Sequence, residues 1–253
     1  MNFNYTRDEL LCKPSYWKSC NLGAAQQKHN YDEGLLNRIL EKASNIYDEV
    51  AEKKHLDLRY IRDAKKHIPE IEELTHDFCR LERLNDLAGT RLENYPIGVI
   101  ASIVTFMSDD TRDGAVAWHA DGVPITELIP LEISNDIEGG ELEIYQSDYE
   151  IGLMHLEQNI SIPSENILSL LHRKECSTLA QLMRVLHRTA PIKKGRRVTL
   201  NLNLRSIDKP YIDDNHMFYL GADNPDFHWL DDYIKDVKNI QLPAYMKNLK
   251  AAV

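Results

Sequence analysis

Three side chains have the types and spacing to hold a metal ion. In Ala117-Trp118-His119-Ala120-Asp121-Gly122 an imidazole and a carboxylate stand two residues apart. On a strand, residues i and i+2 point to the same face, so one short segment offers a nitrogen and a hard oxygen together. The third ligand has to come from elsewhere, and the candidate is His187 in Val185-Leu186-His187-Arg188-Thr189-Ala190-Pro191. Two histidines and one carboxylate on a triangular face leave coordination positions open and suit non-haem Fe(II). His155 and His172 are read as bland surface or core residues, the first on a strand-like run and the second on a helix, since neither has an arginine at the distance that separates His187 from Arg197.

The most informative neighbour of this set is Gly195-Arg196-Arg197-Val198-Thr199-Leu200-Asn201-Leu202-Asn203-Leu204-Arg205. Val198, Leu200, Leu202 and Leu204 share one face of a strand, and Arg197, Thr199, Asn201, Asn203 and Arg205 share the other. Such alternation fits a surface strand. It equally fits a barrel whose interior must bind a charged, oxygen-rich ligand.

The rest of the chain has to position these residues. From Leu35 to Val50 apolar residues recur at three- and four-residue steps, which predicts an amphipathic helix. A second helix is expected from Pro69 to Gly89, burying Ile71, Leu74, Phe78, Leu81 and Leu84. After Pro96 the pattern changes to short β-rich runs: Ile97 to Met107, Ala115 to His119, Ile125 to Ile133, Glu141 to Tyr145, Ile151 to Leu156, Val185 to Ala190 and Val198 to Leu204. Turn residues punctuate them at Asp109-Asp110, Asp113-Gly114, Gly139-Gly140 and Lys194-Gly195. Ile167, Leu170, Leu171, Leu179 and Leu182 predict a helical insertion over 163–183. Strands preceded by helices point to a mainly β fold, an antiparallel sandwich or barrel with a helical buttress. The expected organisation is a single domain: an irregular arm (1–33), the buttress (34–95), the β core (96–206) and a C-terminal segment (207–253).

Composition narrows the function classes. The 253 residues carry 30 basic and 40 acidic side chains, a formal charge of −10 that disfavours nucleic acid or an anionic membrane as partner. A small-molecule or protein partner fits better, and homo-oligomer formation is left open. The four cysteines (Cys12, Cys20, Cys79, Cys176) form no Cys-x-x-Cys pair, which argues against a zinc ribbon or a disulfide framework. The first residues lack a basic stretch followed by an apolar run, and no apolar stretch is long enough to span a membrane, so a cytoplasmic protein is expected.

Taken together, His119-x-Asp121, His187, Arg197 ten residues beyond it and Thr199 two further on resemble the signature of the Fe(II)- and 2-oxoglutarate-dependent oxygenases. Gly139-Gly140-Glu141-Leu142 and Gly195 fit the same pattern, and the matched stretch runs from about Ile97 to Arg205. The resemblance implies a double-stranded β-helix, a jelly-roll of cupin type. It implies Fe(II) on His119, Asp121 and His187, with 2-oxoglutarate as cosubstrate and O2 as oxidant. Its distal carboxylate would be held by Arg197 and Thr199, because Arg197 shares a face with Thr199 whereas Arg196 points away; Arg205 is the alternative. A guanidinium fork matches a carboxylate in two parallel hydrogen bonds.

The resemblance further implies a hydroxylase that oxidises an unactivated carbon and releases succinate. Asp121 argues against the related halogenases, which carry Gly or Ala at that position. Asn201 and Asn203 are candidates for binding a small polar substrate, or else satisfy neighbouring backbone groups, and Arg91, Trp118 and Trp229 are candidates for the pocket wall. A free amino acid or similar metabolite is the expected substrate. The alternatives are a prolyl-hydroxylase-like enzyme acting on a peptide or protein, and a cupin-like metal-binding barrel without activity.

Overall fold

The computed structural model describes residues 2–53, 58–110 and 116–251. The first 33 residues are not the irregular arm expected: they form strand β1 (Phe3–Thr6), helix α1 (Arg7–Leu11) and strand β2 (Leu22–Lys28). A reciprocal capping box starts α1, with Thr6 Oγ1 accepting from the Glu9 amide and Glu9 accepting from the Thr6 amide. β2 lies between two strands and opens with Leu22-Gly23-Ala24-Ala25, all buried. Small residues buried on both faces leave no apolar period to read.

The buttress contains α2 (Glu33–Asn45), α3 (Tyr47–Val50), β3 (Glu52–Lys53), β4 (Arg59–Ile61), α4 (Ala64–His67), α5 (Ile71–Thr75), α6 (Phe78–Ala88) and β5 (Leu92–Asn94). α2 buries Leu35, Leu36, Ile39 and Ala43, the stripe its spacing predicts. The expected second helix is two helices, α5 and α6. The break at His76-Asp77 shifts the helical phase, so that Phe78 is turned outward, 69% exposed. Gly89 ends α6 in the left-handed region, φ 64°.

The remaining elements are α7 (Gly98–Ala101), β6 (Ser102–Ser108), β7 (Ile125–Ile133), β8 (Leu142–Tyr145), α8 (Tyr149–Glu157), β9 (Ile167–Leu170), β10 (Cys176–Ala180), β11 (His187–Thr189), β12 (Arg196–Ser206), α9 (Met217–Asp223), α10 (Leu230–Asp236), a π-helical turn (Val237–Gln241) and α11 (Leu242–Ala251). Two expectations are overturned here. The apolar run at 151–156 is helix α8, capped by Asp148, whose carboxylate accepts from the Glu150 amide at 3.0 Å. The stretch 163–183 is not a helical insertion but carries strands β9 and β10, joined by a tight turn in which the Cys176 amide donates to Arg173 O at 3.0 Å. β10 is buried on both faces, so its leucines mimic helical spacing by chance. The strand expected from Ile97 begins only at Ser102, after the turn α7. Residues 113–115, part of an expected turn and strand, lie outside the described residues.

Among the described residues all pairs of named strands are antiparallel. The major sheet runs β1-β2-β10-β7-β12-β6-β4-β3, with β5 beside the C-terminal end of β12. A second sheet runs β11-β8-β9. Helices α2, α4 and α5 pack on the outer face of the major sheet against Val104, Phe106, Ile129, Leu131, Val198, Leu200 and Leu202. The minor sheet packs on the inner face, where Leu142, Ile144 and Leu170 meet Ala24 and Ala180. The polar face of β12 is therefore not a surface at all. It turns into the space between the sheets, and Arg197, Thr199, Asn203 and Arg205 are each at most 4% exposed.

Candidate metal and cosubstrate site

The segment His119–Asp121 runs beside β11. The His119 amide donates to His187 O at 2.9 Å and the His187 amide to His119 O at 2.8 Å, while the Asp121 amide donates to Leu182 O at 3.3 Å. Strand pairing thus makes the two histidines direct cross-strand partners, with ring centroids 4.2 Å apart. His119 Nδ1 lies 2.9 Å from Ala117 O and His187 Nδ1 2.9 Å from Val185 O. With the hydrogen assigned to Nδ1, each ring donates to a carbonyl two residues back and leaves Nε2 as a free donor atom. Both Nε2 atoms stand 3.6 Å from Asp121 Oδ1. Among the described residues this is the cluster of His, Cys, Asp and Glu whose donor atoms converge, all within 4.8 Å of one another.

The charges suit a cation. Burial, helped by the neighbouring His119, pushes His187 down to about 4, which keeps its imidazole neutral at neutral pH. Burial also opposes the charged forms of Asp121 and His119. The two imidazoles nevertheless hold Asp121 below the usual carboxylate range, and Asp121 holds His119 above the usual histidine range.

Two residues along β11 from His187, Thr189 meets Arg197. Arg197 Nη2 donates to Thr189 Oγ1 at 3.3 Å and Nη1 donates to Gly140 O. Gly139 and Gly140 turn through φ 87° and 83°, and a Cβ on Gly139 would stand 2.1 Å from Pro191 O. Only glycine permits the turn that presents this carbonyl. Arg197 Nε and Thr199 Oγ1 are buried without a hydrogen-bond partner among the described residues. Burial lowers the Arg197 pKa to about 10, against the opposing pull of Glu141. A buried guanidinium and hydroxyl with unused hydrogen-bonding capacity fit a ligand carboxylate.

Similar architecture occurs in solved structures. The epimerase SnoN and the carbocyclase SnoK, both described as non-haem α-ketoglutarate-dependent enzymes of nogalamycin biosynthesis, superpose with TM-scores of 0.53 and 0.55. They are 15% and 14% identical; the match spans 73% of this chain and 77% of SnoN, and 74% of this chain and 80% of SnoK. HygX from Streptomyces hygroscopicus, solved with nickel and 2-oxoglutarate, has a TM-score of 0.54 at 12% identity over 74% of this chain and 84% of its own. The fold is that of the 2-oxoglutarate- and Fe(II)-dependent oxygenases. No protein-family model matches the sequence, and no curated relative matches it.

Within this oxygenase fold the other sequence-selected residues separate clearly. Asn201 shares the interior face with Thr199, and its Oδ1 is buried with no hydrogen-bond partner among the described residues. Asn203 is spent on structure: Nδ2 donates to Ile100 O, and Oδ1 accepts from Thr126 Oγ1 at 2.8 Å. Arg205 is held by Glu93 and Asp236 at 2.7 and 2.6 Å. Arg91 is exposed and pairs with Asp208, close to where β5 meets the far end of β12. Trp118, next to His119 in the chain, lies 4.7 Å under the Arg188 guanidinium, which also binds Glu143. Trp229 is buried among Tyr95, Ile97 and Val123, its Nε1 donating to Asn224 O at 2.9 Å.

Two supports of the triad carry no signal in the sequence. Arg7 is buried and donates to Gln181 O at 2.7 Å and Met183 O at 2.5 Å, bracketing the segment that pairs with Asp121. On the other side of Asp121, the Asp214 amide donates to Gly122 O at 3.1 Å, and Asn215 Oδ1 would stand 2.5 Å from a Cβ on Gly122. Both supports are long-range contacts from segments that lack a recognisable pattern.

Proposed function

We propose that this chain is an Fe(II)- and 2-oxoglutarate-dependent oxygenase that hydroxylates a small polar metabolite, with free amino acids and their derivatives as the first class to test. The observation that carries the reading is one juxtaposition: a convergent His-Asp-His set and, at Thr189 two residues along β11 from His187, a buried arginine from β12 with no carboxylate partner among the described residues. His119, Asp121 and His187 would hold the metal, and Arg197 with Thr199 would hold the distal carboxylate of the cosubstrate. When bound, iron and 2-oxoglutarate supply the oxidising chemistry, in which O2 delivers one oxygen atom to succinate formation and the other to the substrate.

The protein's own contribution is placement. The backbone carbonyls of Ala117 and Val185 orient the rings, and burial keeps His187 neutral for ligation. The sheets around Arg197 keep water from competing for its guanidinium. Asn201, with its unpaired amide oxygen facing inward, is the residue assigned to a polar substrate. A small-molecule substrate is supported by HygX, which has also been solved with hygromycin B bound, at a TM-score of 0.53 and 12% identity over 74% of this chain and 84% of its own. No described helix is long and apolar enough to cross a membrane.

The test is anaerobic reconstitution with Fe(II) and 2-oxoglutarate, followed by oxygen and mass spectrometry of the products. Succinate should form only when metal, cosubstrate and oxygen are all present, and one amino acid of the panel should gain one oxygen atom. Asp121→Ala should abolish both metal binding and succinate release. Metal binding without succinate would reduce the protein to a metal-binding barrel, and oxygen gained only by peptides would move it to the peptide hydroxylases.

A further inference from the structure

His172 was set aside in the sequence, yet the strand registers bring it to the Arg197 end of the barrel. β9 pairs with β8 so that Leu170 faces Leu142. Two residues back from Leu142 is Gly140, whose carbonyl Arg197 holds, and two residues on from Leu170 is His172. Just past the end of β9 at the buried Leu170, His172 is half-buried overall, with its Nδ1 fully enclosed.

The major sheet gives the same location independently. Thr178 pairs with Leu128, and Pro130 pairs with Thr199, which pairs in turn with Thr105. Extending these registers sets Cys176, the first residue of β10, in one row with Pro130, Thr199 and Thr105. The turn from β9 into β10, which holds His172, therefore lies at the Thr199 end of the sheet. It is anchored there by Gln26, whose Nε2 donates to Leu171 O at 2.8 Å.

Chemistry agrees with position. His172 Nδ1 is buried and has no hydrogen-bond partner among the described residues, as is true of Arg197 Nε and Thr199 Oγ1. Burial and the nearby Arg197 charge push the imidazole well below its usual pKa, so it is neutral and has one N–H to place. A carboxylate has about four lone-pair sites on its two oxygens. A guanidinium fork takes two and a hydroxyl one, which leaves room for one further donor.

We propose that His172 is a third binding residue for the distal carboxylate of 2-oxoglutarate, donating from Nδ1 beside Arg197 and Thr199. This rests on the oxygenase reading above. The experiment measures binding to Zn(II)-loaded protein by calorimetry, with 2-oxoglutarate and with 2-oxopentanoate, which has no distal carboxylate. His172→Phe keeps the ring volume and removes the donor, and it should weaken 2-oxoglutarate by about 10-fold or more, as expected for a lost hydrogen bond to a charged group. Its affinity for 2-oxopentanoate and for zinc should stay unchanged. His172→Asn places an amide N–H near the position of Nδ1 and should recover most of the loss.

Unaltered 2-oxoglutarate affinity in His172→Phe overturns the proposal, as does an equal loss of both ligands. Recovery by Asn with the loss confined to 2-oxoglutarate upholds it. If the unmodified protein binds 2-oxoglutarate no better than 2-oxopentanoate, the oxygenase reading itself falls and takes this assignment with it.

Discussion

Arg197 and Arg205 lie on the same face of the same strand, and each is 4% exposed. Their surroundings are opposite. Arg205 sits between Glu93 and Asp236, and although burial opposes its charge, these carboxylates carry its pKa above the ordinary arginine value. Arg197 has a backbone carbonyl, a threonine hydroxyl and the sulfur of Met107 at 3.5 Å, with no carboxylate in ion-pair distance among the described residues. Its pKa falls to about 10. Burial alone thus distinguishes nothing on this strand. What marks a ligand site is a buried cation whose counter-charge the protein does not provide.

The largest effect should come from breaking the Arg197 end. Arg197→Leu should weaken 2-oxoglutarate binding by about 30-fold or more, since truncating one partner of a buried charge pair costs upward of about 2 kcal/mol. The same change should leave the melting temperature equal or higher, because it removes an uncompensated buried charge. Calorimetric titration and thermal unfolding check the two halves separately.

Arg205→Leu should do the reverse. It strands Asp236, whose side chain is 8% exposed, and should destabilise the fold by about 3–5 kcal/mol. Metal-loaded protein that remains folded should bind 2-oxoglutarate as before. Equal behaviour of the two variants would erase the distinction drawn between the two ends.

A smaller effect sharpens the comparison at the Arg205 end, which holds a further, half-buried carboxyl group, Asp213. Burial raises Asp213 to about 6, against hydrogen bonds from the Tyr95 hydroxyl and Asn215 and the pull of Arg205. The folded protein therefore binds this proton more tightly than the unfolded chain, whose value is near 3.8. The associated stability is fully present below pH ~4 and is lost as pH rises through about 6. Asp213→Asn should accordingly gain a few degrees of melting temperature relative to the parent between pH 4.5 and pH 7. A difference that does not change with pH would remove the Asp213 carboxyl from this account.

Legibility from the sequence varied with how each segment is buried. α2 showed its stripe because one face meets the sheet and the other meets water. The polar and apolar alternation of β12 was visible, but its meaning was not: both faces are covered, and the same pattern would serve a surface strand. β10 and β2, buried on both sides, were misread as a helix and as an arm. The run at 151–156 reads as a strand in sequence because a short apolar stretch has no period of its own; in the fold it is a helix, capped by Asp148 and packed with Gly152 against Tyr145 and Leu186.

The sequence by itself determined the candidate ligand types: the His119-x-Asp121 pair, His187, and an arginine and threonine two apart on one face. These are local facts of spacing, and strand geometry converts them directly into shared faces. Tertiary structure alone decided which arginine is free for a ligand, since β5 and α10 bring carboxylates to Arg205, whereas β6, β11 and the Gly139-Gly140 turn bring Arg197 neutral partners. It alone brought His187 across from His119, and His172 and Arg7 toward the site. Such meetings depend on the registers of distant strands, which no local pattern encodes.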